Sequence, residues 1–141
     1  MANEGISGYG ATLSVTNGTA TTVAQITKIG CSPGGITDID ISTMSGVNKW
    51  KQFLPGMAEA GELTCEANLE DSQETKMLAL VGVTGCTWTV TFNDAVTATG
   101  STFVCNGYLR PFGFEAPMDG APVSQTFTIK ISGKPTVAVA T

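Results

Sequence analysis

The chain has 141 residues and a mass of 14.5 kDa, a length that suits one domain spanning residues 1–141 around one core. Only 13% of its residues are charged against 42% hydrophobic, so it is too apolar for disorder and too sparsely charged for an ordinary free surface, a deficit expected where other subunits cover it. A net charge of -5 and only seven basic residues argue against gripping nucleic-acid phosphates, and the absence of histidine removes the commonest general base and metal ligand.

The first ten residues lack the basic and apolar pattern of a leader, and no apolar run approaches the ~20 residues of a membrane span, so no membrane insertion is expected. Threonine occurs 21 times and glycine 17, and period-two alternation recurs between glycine-bearing breaks, which predicts a mostly β fold. Ala11–Val15 and Val23–Ile29 flank an Asn17-Gly18 pair and read as a hairpin with a loop longer than two residues. Ile36–Thr43 places Ile39 and Ile41 on one face and Asp38 and Asp40 on the other. Glu62–Leu69 repeats the pattern, with Leu63, Cys65, Ala67 and Leu69 inward and Glu62, Thr64, Glu66 and Asn68 outward.

Between these two strands, residues 44–60 match neither period and are expected to form a long loop. Its apolar content (Trp50, Phe53, Leu54, Pro55, Met57) argues against a solvated linker. It reads either as a docking arm, disordered in the free subunit, or as a lid folded back on its own core.

One helix is predicted over residues 72–81, capped by Asp71 with Glu74 three residues on, stopped by Gly82, and carrying Met77, Leu78 and Val81 as its apolar stripe. Three strands follow: Cys86–Phe92 sets Trp88, Val90 and Phe92 against Thr87, Thr89 and Thr91, Thr102–Leu109 places Phe103, Cys105 and Leu109 on one side, and Val123–Ile131 sets Val123, Phe127, Ile129 and Ile131 against Ser124, Thr126, Thr128 and Lys130. Arg110–Pro122, with three prolines and two glycines, is a loop in which Phe112 and Phe114 are expected to pack on the core. Cys31, Cys65, Cys86 and Cys105 form no C-x-x-C pair and read as reduced thiols, with Cys65 and Cys105 buried. No glycine-rich phosphate cradle, calcium loop or nucleophile with a histidine partner is present, so the expectation is a non-enzyme without cofactor, metal or catalytic residues.

The stretch ITDIDISTMSGVNKWKQFLPGMAEAGELTCEANL, residues 36–69, resembles the tail tube (major tail) proteins of long non-contractile-tailed bacteriophages. The matching residues are Ile39, Asp40, Ile41, Ser42 and Thr43, then Lys51, Phe53, Leu54, Pro55 and Gly56, then Gly61, Glu62, Leu63 and Thr64, in a stretch that spans about a quarter of the chain. The resemblance implies a β-sandwich or barrel-like subunit of two packed sheets with one flanking helix. Such subunits assemble into hexameric rings that stack into a hollow tube, a structural part of the virion tail put together in the host cytoplasm.

It also implies partners: the chain itself, a tail initiator or tip, a tape-measure protein, a terminator, and double-stranded DNA that passes without specific binding. In that frame Asp38, Asp40, Glu62 and Glu66 are expected to share one sheet and line an acidic lumen that repels DNA. Lys49, Trp50, Lys51, Phe53, Leu54, Pro55 and Met57 form the inter-ring stacking loop. Two other readings stay open: a β-sandwich surface module that binds carbohydrate or protein, and the tube protein of a contractile secretion machine, which has the same fold.

Overall fold

A computed structural model of the chain describes residues 9–23, 26–44, 49–94 and 100–140. In chain order the elements are β1 (Thr12–Asn17), β2 (Thr19–Val23), β3 (Ile26–Ser32), β4 (Ile36–Asp40), β5 (Phe53–Ala58), β6 (Glu62–Asn68), α1 (Asp71–Ala79), β7 (Cys86–Thr91), β8 (Thr102–Leu109), β9 (Phe114–Glu115) and β10 (Ser124–Ala138). The fold is mostly β, with two sheets and a single short helix, and is β-sandwich-like. The larger sheet runs β2-β1-β7-β8-β10-β6-β3, with β9 added beside β10, and β4 and β5 make a separate two-stranded sheet.

β2 and β3 lie at opposite ends of the strand order, yet Val23 and Ile26 are three residues apart in sequence. Three residue steps reach at most about 11 Å, so the large sheet must roll until its two edges approach each other. Rolling turns one side chain of every pair inward. Leu13 and Val15 of β1 and Trp88 and Val90 of β7 are thereby buried with Cys105 and Leu109 of β8, Leu63 and Cys65 of β6, and Phe127 and Ile129 of β10. Trp88 is fully enclosed and its indole N–H donates to the Gly107 carbonyl at 3.3 Å, so the ring's polar edge is satisfied inside the core.

The helix starts one residue earlier than the expected cap. Glu70 occupies the N-cap without a side-chain capping bond, and its carbonyl accepts from the amides of Gln73 and Glu74, so Asp71 is the first helical residue and not the cap. Entry is fixed instead by tertiary contacts: the Leu69 amide donates to Val123, and the Gln73 side chain donates to the Thr22 carbonyl at 2.6 Å. The latter ties α1 to the edge strand β2. Met77 is buried as expected, whereas Leu78 is exposed and Leu80 takes its place against the core.

Three further expectations change. β1 and β2 turn directly around Gly18, at φ +84°, with Asn17 opposite Thr19, so this hairpin has a tight turn rather than a long loop. β10 continues past Ile131 to Ala138, because Gly133 at φ +85° opens a bulge after which Thr136 to Ala138 resume pairing with β8. In the 110–122 loop Phe112 packs edge-on against Phe127 at 4.7 Å, while Phe114 remains exposed. Among the described residues no helix is long and apolar enough to cross a membrane.

Candidate assembly surface

Residues 44–60 are not simply a loop, since they contain β5, antiparallel to β4. The larger sheet pairs Ser32 with Glu62; three residues further on, Gly35 and Glu59 exchange both backbone hydrogen bonds, at 3.1 and 2.7 Å. Ile36 then pairs with Ala58, Asp38 with Pro55, Ile39 with Leu54 and Asp40 with Phe53. The ladder ends where the Ile41 amide donates to Gln52 and the Gln52 amide donates to Ser42 Oγ, at 3.0 and 2.8 Å. The β4–β5 hairpin is therefore an arm that prolongs the β3–β6 ladder beyond the rolled sheet. From residue 52 to residue 58 the expected loop is therefore a hydrogen-bonded strand. Pro55 is tolerated because β5 pairs on one side only.

Arm side chains divide between two faces. Thr37, Ile39, Leu54 and Met57 lie on one, while Asp38 and Asp40 share the other with Phe53 and Pro55. Trp50 is 78% exposed and Met57 90%, and Ile36, Ile39, Phe53 and Leu54 are each about half exposed. This is the largest run of exposed apolar side chains among the described residues, and Lys49 and Lys51 bracket Trp50 at its far end. A lid folded on its own core would bury these residues. Among the described residues, the only extensive packing of β4 and β5 is with each other.

The four acidic residues do not share a sheet. Asp38 and Asp40 lie on the arm, whereas Glu62 and Glu66 face outward from β6, which pairs with β3 and β10 and not with β4. The cause is that β4 takes β5 as its partner, beyond a break in the ladder at residues 33–35. Their environments differ as well. Asp40 accepts from the Ser42 amide at 2.8 Å, and hydrogen bonds from Ser42 hold its carboxyl below the usual range. Glu62 is bound by Arg110 at 2.9 Å, and Glu66 stands opposite Lys28 in the β3–β6 register. Glu59, at the arm's base, pairs with Lys130 of β10, which lowers its pKa through a direct hydrogen bond and charge attraction. The outward face of β6 is thus charge-balanced rather than uniformly acidic. The sequence reading missed Glu59 and Arg110, whose one signal was the alternation that turns Lys130 outward.

The outward faces of β1 and β7 are uncharged. Thr12, Ser14 and Thr16 of β1 stand in register with Thr91, Thr89 and Thr87 of β7, and Thr91 with Thr102 of β8. Charge is concentrated on the half of the sheet nearer the arm. All four cysteines are free thiols: Cys65, Cys86 and Cys105 are buried and Cys31 is exposed. Burial, with Glu66 nearby, pushes the Cys65 thiol up to about 12, and burial, with Cys31 nearby, pushes that of Cys105 to about 11.

No protein-family model matches the chain, and no curated protein does. Solved structures do. A chain in the cryo-EM structure of the sheath/tube terminator of PVC, an extracellular contractile injection system in its extended state, superposes with a TM-score of 0.76 at 13% identity, covering 99% of this chain and 100% of that one. A chain in the extended PVC sheath-tube complex gives 0.73 at 12% identity over 97% and 93%. A chain in the tail of the empty gene transfer agent particle, determined with C6 symmetry, gives 0.69 at 11% identity over 94% and 98%. These neighbours include contractile systems, so the fold does not single out the non-contractile tails that the sequence resembles. At such identities the likeness is one of fold, and it spans the whole chain: the protein has the fold found in chains of these tube, sheath-tube and tail assemblies.

Proposed function

We propose that the protein is a structural, non-enzymatic subunit of a phage-like tail tube, contractile or non-contractile. Its rings stack into a hollow conduit in the tail of a particle. The observation that carries this reading is an end-to-end likeness in fold to chains of tube and tail assemblies, combined with an exposed apolar arm that the subunit itself leaves uncovered. Six-fold rings follow by analogy with the C6 tail. The low overall charge is what a chain surrounded by copies of itself needs, because uncharged hydroxyl and apolar surface is cheaper to desolvate than charge.

In this assembly the arm makes the ring-to-ring contact through Lys49, Trp50, Lys51, Phe53, Leu54, Pro55 and Met57. Partners are further copies and the proteins that start, measure and end a tail. Asp38 and Asp40 are the better candidates for a DNA-repelling lumen, since Glu62 and Glu66 already face basic residues.

Negative-stain electron microscopy at rising concentration, alone and with the initiator complex, tests the reading. Uniform hollow tubes are expected, and monomers alone under both conditions overturn it.

A further inference from the structure

The rolled sheet is open at the end from which the arm leaves. There an apolar mouth of about 190 Å³ is lined by Ile29, Leu63, Val90, Phe92, Phe103 and Val137, with no charged side chain in its lining among the described residues. Leu63 and Val90 form its buried floor, Phe92 and Phe103 its partly buried walls, and Val137, 69% exposed, its rim. Its volume suits one large aromatic side chain and is too small for a chain segment. Trp50 is such a side chain, carried on the outer end of the arm.

Trp50 is barred from the mouth of its own chain. Leu63 follows Glu62, directly at the arm's base, and the ladder from Gly35–Glu59 to Ser42–Gln52 holds seven residue steps of strand between base and tip, roughly 23 Å at 3.3 Å per residue. A knob and a matching hole on one molecule that cannot meet within it create a heterologous contact, which propagates from copy to copy.

We infer that Trp50 of one copy inserts into the apolar mouth of another, so that the arm's tip and the open end of the rolled sheet form a head-to-tail joint. This rests on the tail-tube reading for the identity of the partner as a second copy. Each joint alone is weak, and a ring presenting several at once makes the later ones effectively intramolecular.

Two features make the joint measurable. Trp88 is wholly buried, so exposed tryptophan emission comes from Trp50 alone. Cys31, the one exposed thiol, also lines the mouth. On assembly of the wild-type protein, emission should shift to shorter wavelength as Trp50 leaves water. Trp50→Phe should keep tubes and Trp50→Ala should lose them.

In Lys51→Cys, which keeps Trp50, the dithiol oxidant diamide should join the new thiol to Cys31 of another chain. The result is a ladder of covalent multimers that disappears when Cys31→Ser is added. Tubes with unshifted emission and no ladder overturn the joint while leaving the tube reading intact. An intrachain bond, seen as a monomer that has lost both thiols, overturns it in favour of a lid. No association at any concentration overturns both.

Discussion

Gly34 and Gly61 lie against each other where the arm leaves the rolled sheet: a Cβ on either would fall 2.7 Å from the other's backbone nitrogen. Each also approaches a carbonyl closely, 1.8 Å from Glu59 for a Cβ on Gly34 and 2.1 Å from Ser32 for one on Gly61, and Gly61 holds φ +93°. Backbone atoms cannot swing aside as a side chain would. Gly34→Ala should therefore destabilise the fold by about 1–3 kcal/mol through overpacking. Gly35→Ala, one residue on, meets open space and should cost within about 0.5 kcal/mol. Urea unfolding of the two variants checks the contrast, and equal midpoints would show that the base of the arm is not tight.

The two tryptophans should behave oppositely. Trp88 fills the core and donates to Gly107, so Trp88→Ala should cost about 3–5 kcal/mol and leave little folded protein. Trp50→Ala should leave the monomer's unfolding midpoint unchanged. Thermal unfolding followed by circular dichroism, at concentrations below assembly, separates the two effects.

Removing the arm should spare the core. Gly35 and Glu59 form a hydrogen-bonded pair, so their Cα atoms stand about 5.5 Å apart and an Asn-Gly turn can join them. The variant with residues 36–58 replaced by Asn-Gly should retain the β spectrum and cooperative melting and form no tubes by electron microscopy. Loss of cooperative melting would assign the arm to the core instead.

Alkaline pH should weaken the fold through its buried thiols. The folded-state pKa values of Cys65 and Cys105 are raised to about 12 and 11, from 9.0 for the ordinary thiol. The stability they confer is fully present below pH 9 and is lost as pH rises toward those folded values, because the unfolded chain ionises first. The melting temperature should be level from pH 7 to 8.5 and then fall, with a shallower slope in Cys65→Ala. In the folded protein at pH 8, iodoacetamide should modify Cys31 alone. After denaturation without reductant it should modify all four cysteines, as counted by mass spectrometry.

Charge at the arm should matter to passage and not to folding. Reversing Asp38 and Asp40 to lysine alters exposed positions, so tubes should still form, but DNA retention or impaired ejection is expected because the effect acts over about 8 Å at physiological salt. Reversing Glu62 instead breaks the pair with Arg110 and should change retention less. Equal infectivity for the Asp38/Asp40 variant and the wild type would place these carboxylates outside the conduit.

Strands whose signal is local were legible in the sequence. β7 and β8 alternate without interruption, so Trp88, Val90 and Cys105 were placed inward from spacing alone. β5 was hidden because it contains Pro55 and Gly56 and has apolar residues on both faces, a pattern that fits no half-buried strand. The second half of β10 was hidden behind the Gly133-Lys134-Pro135 bulge. The grouping of Asp38 and Asp40 with Glu62 and Glu66 failed for a different reason. Alternation tells which side of a strand a residue takes, but not which strand lies beside it, and the neighbour of β4 proved to be β5.

Because the arm continues the register of β3 and β6, its facing is inherited from the core rather than chosen at its tip. Inserting one residue into β4 and one into β5 would turn the side that holds Ile39 and Leu54 through half a revolution, presenting carboxylates where apolar groups now stand. Inserting two in each would lengthen the arm by about 7 Å and leave its facing unchanged. The hairpin thus behaves as a ruler graduated in pairs of residues, on which the spacing between joined copies can be reset without redesigning what they grip.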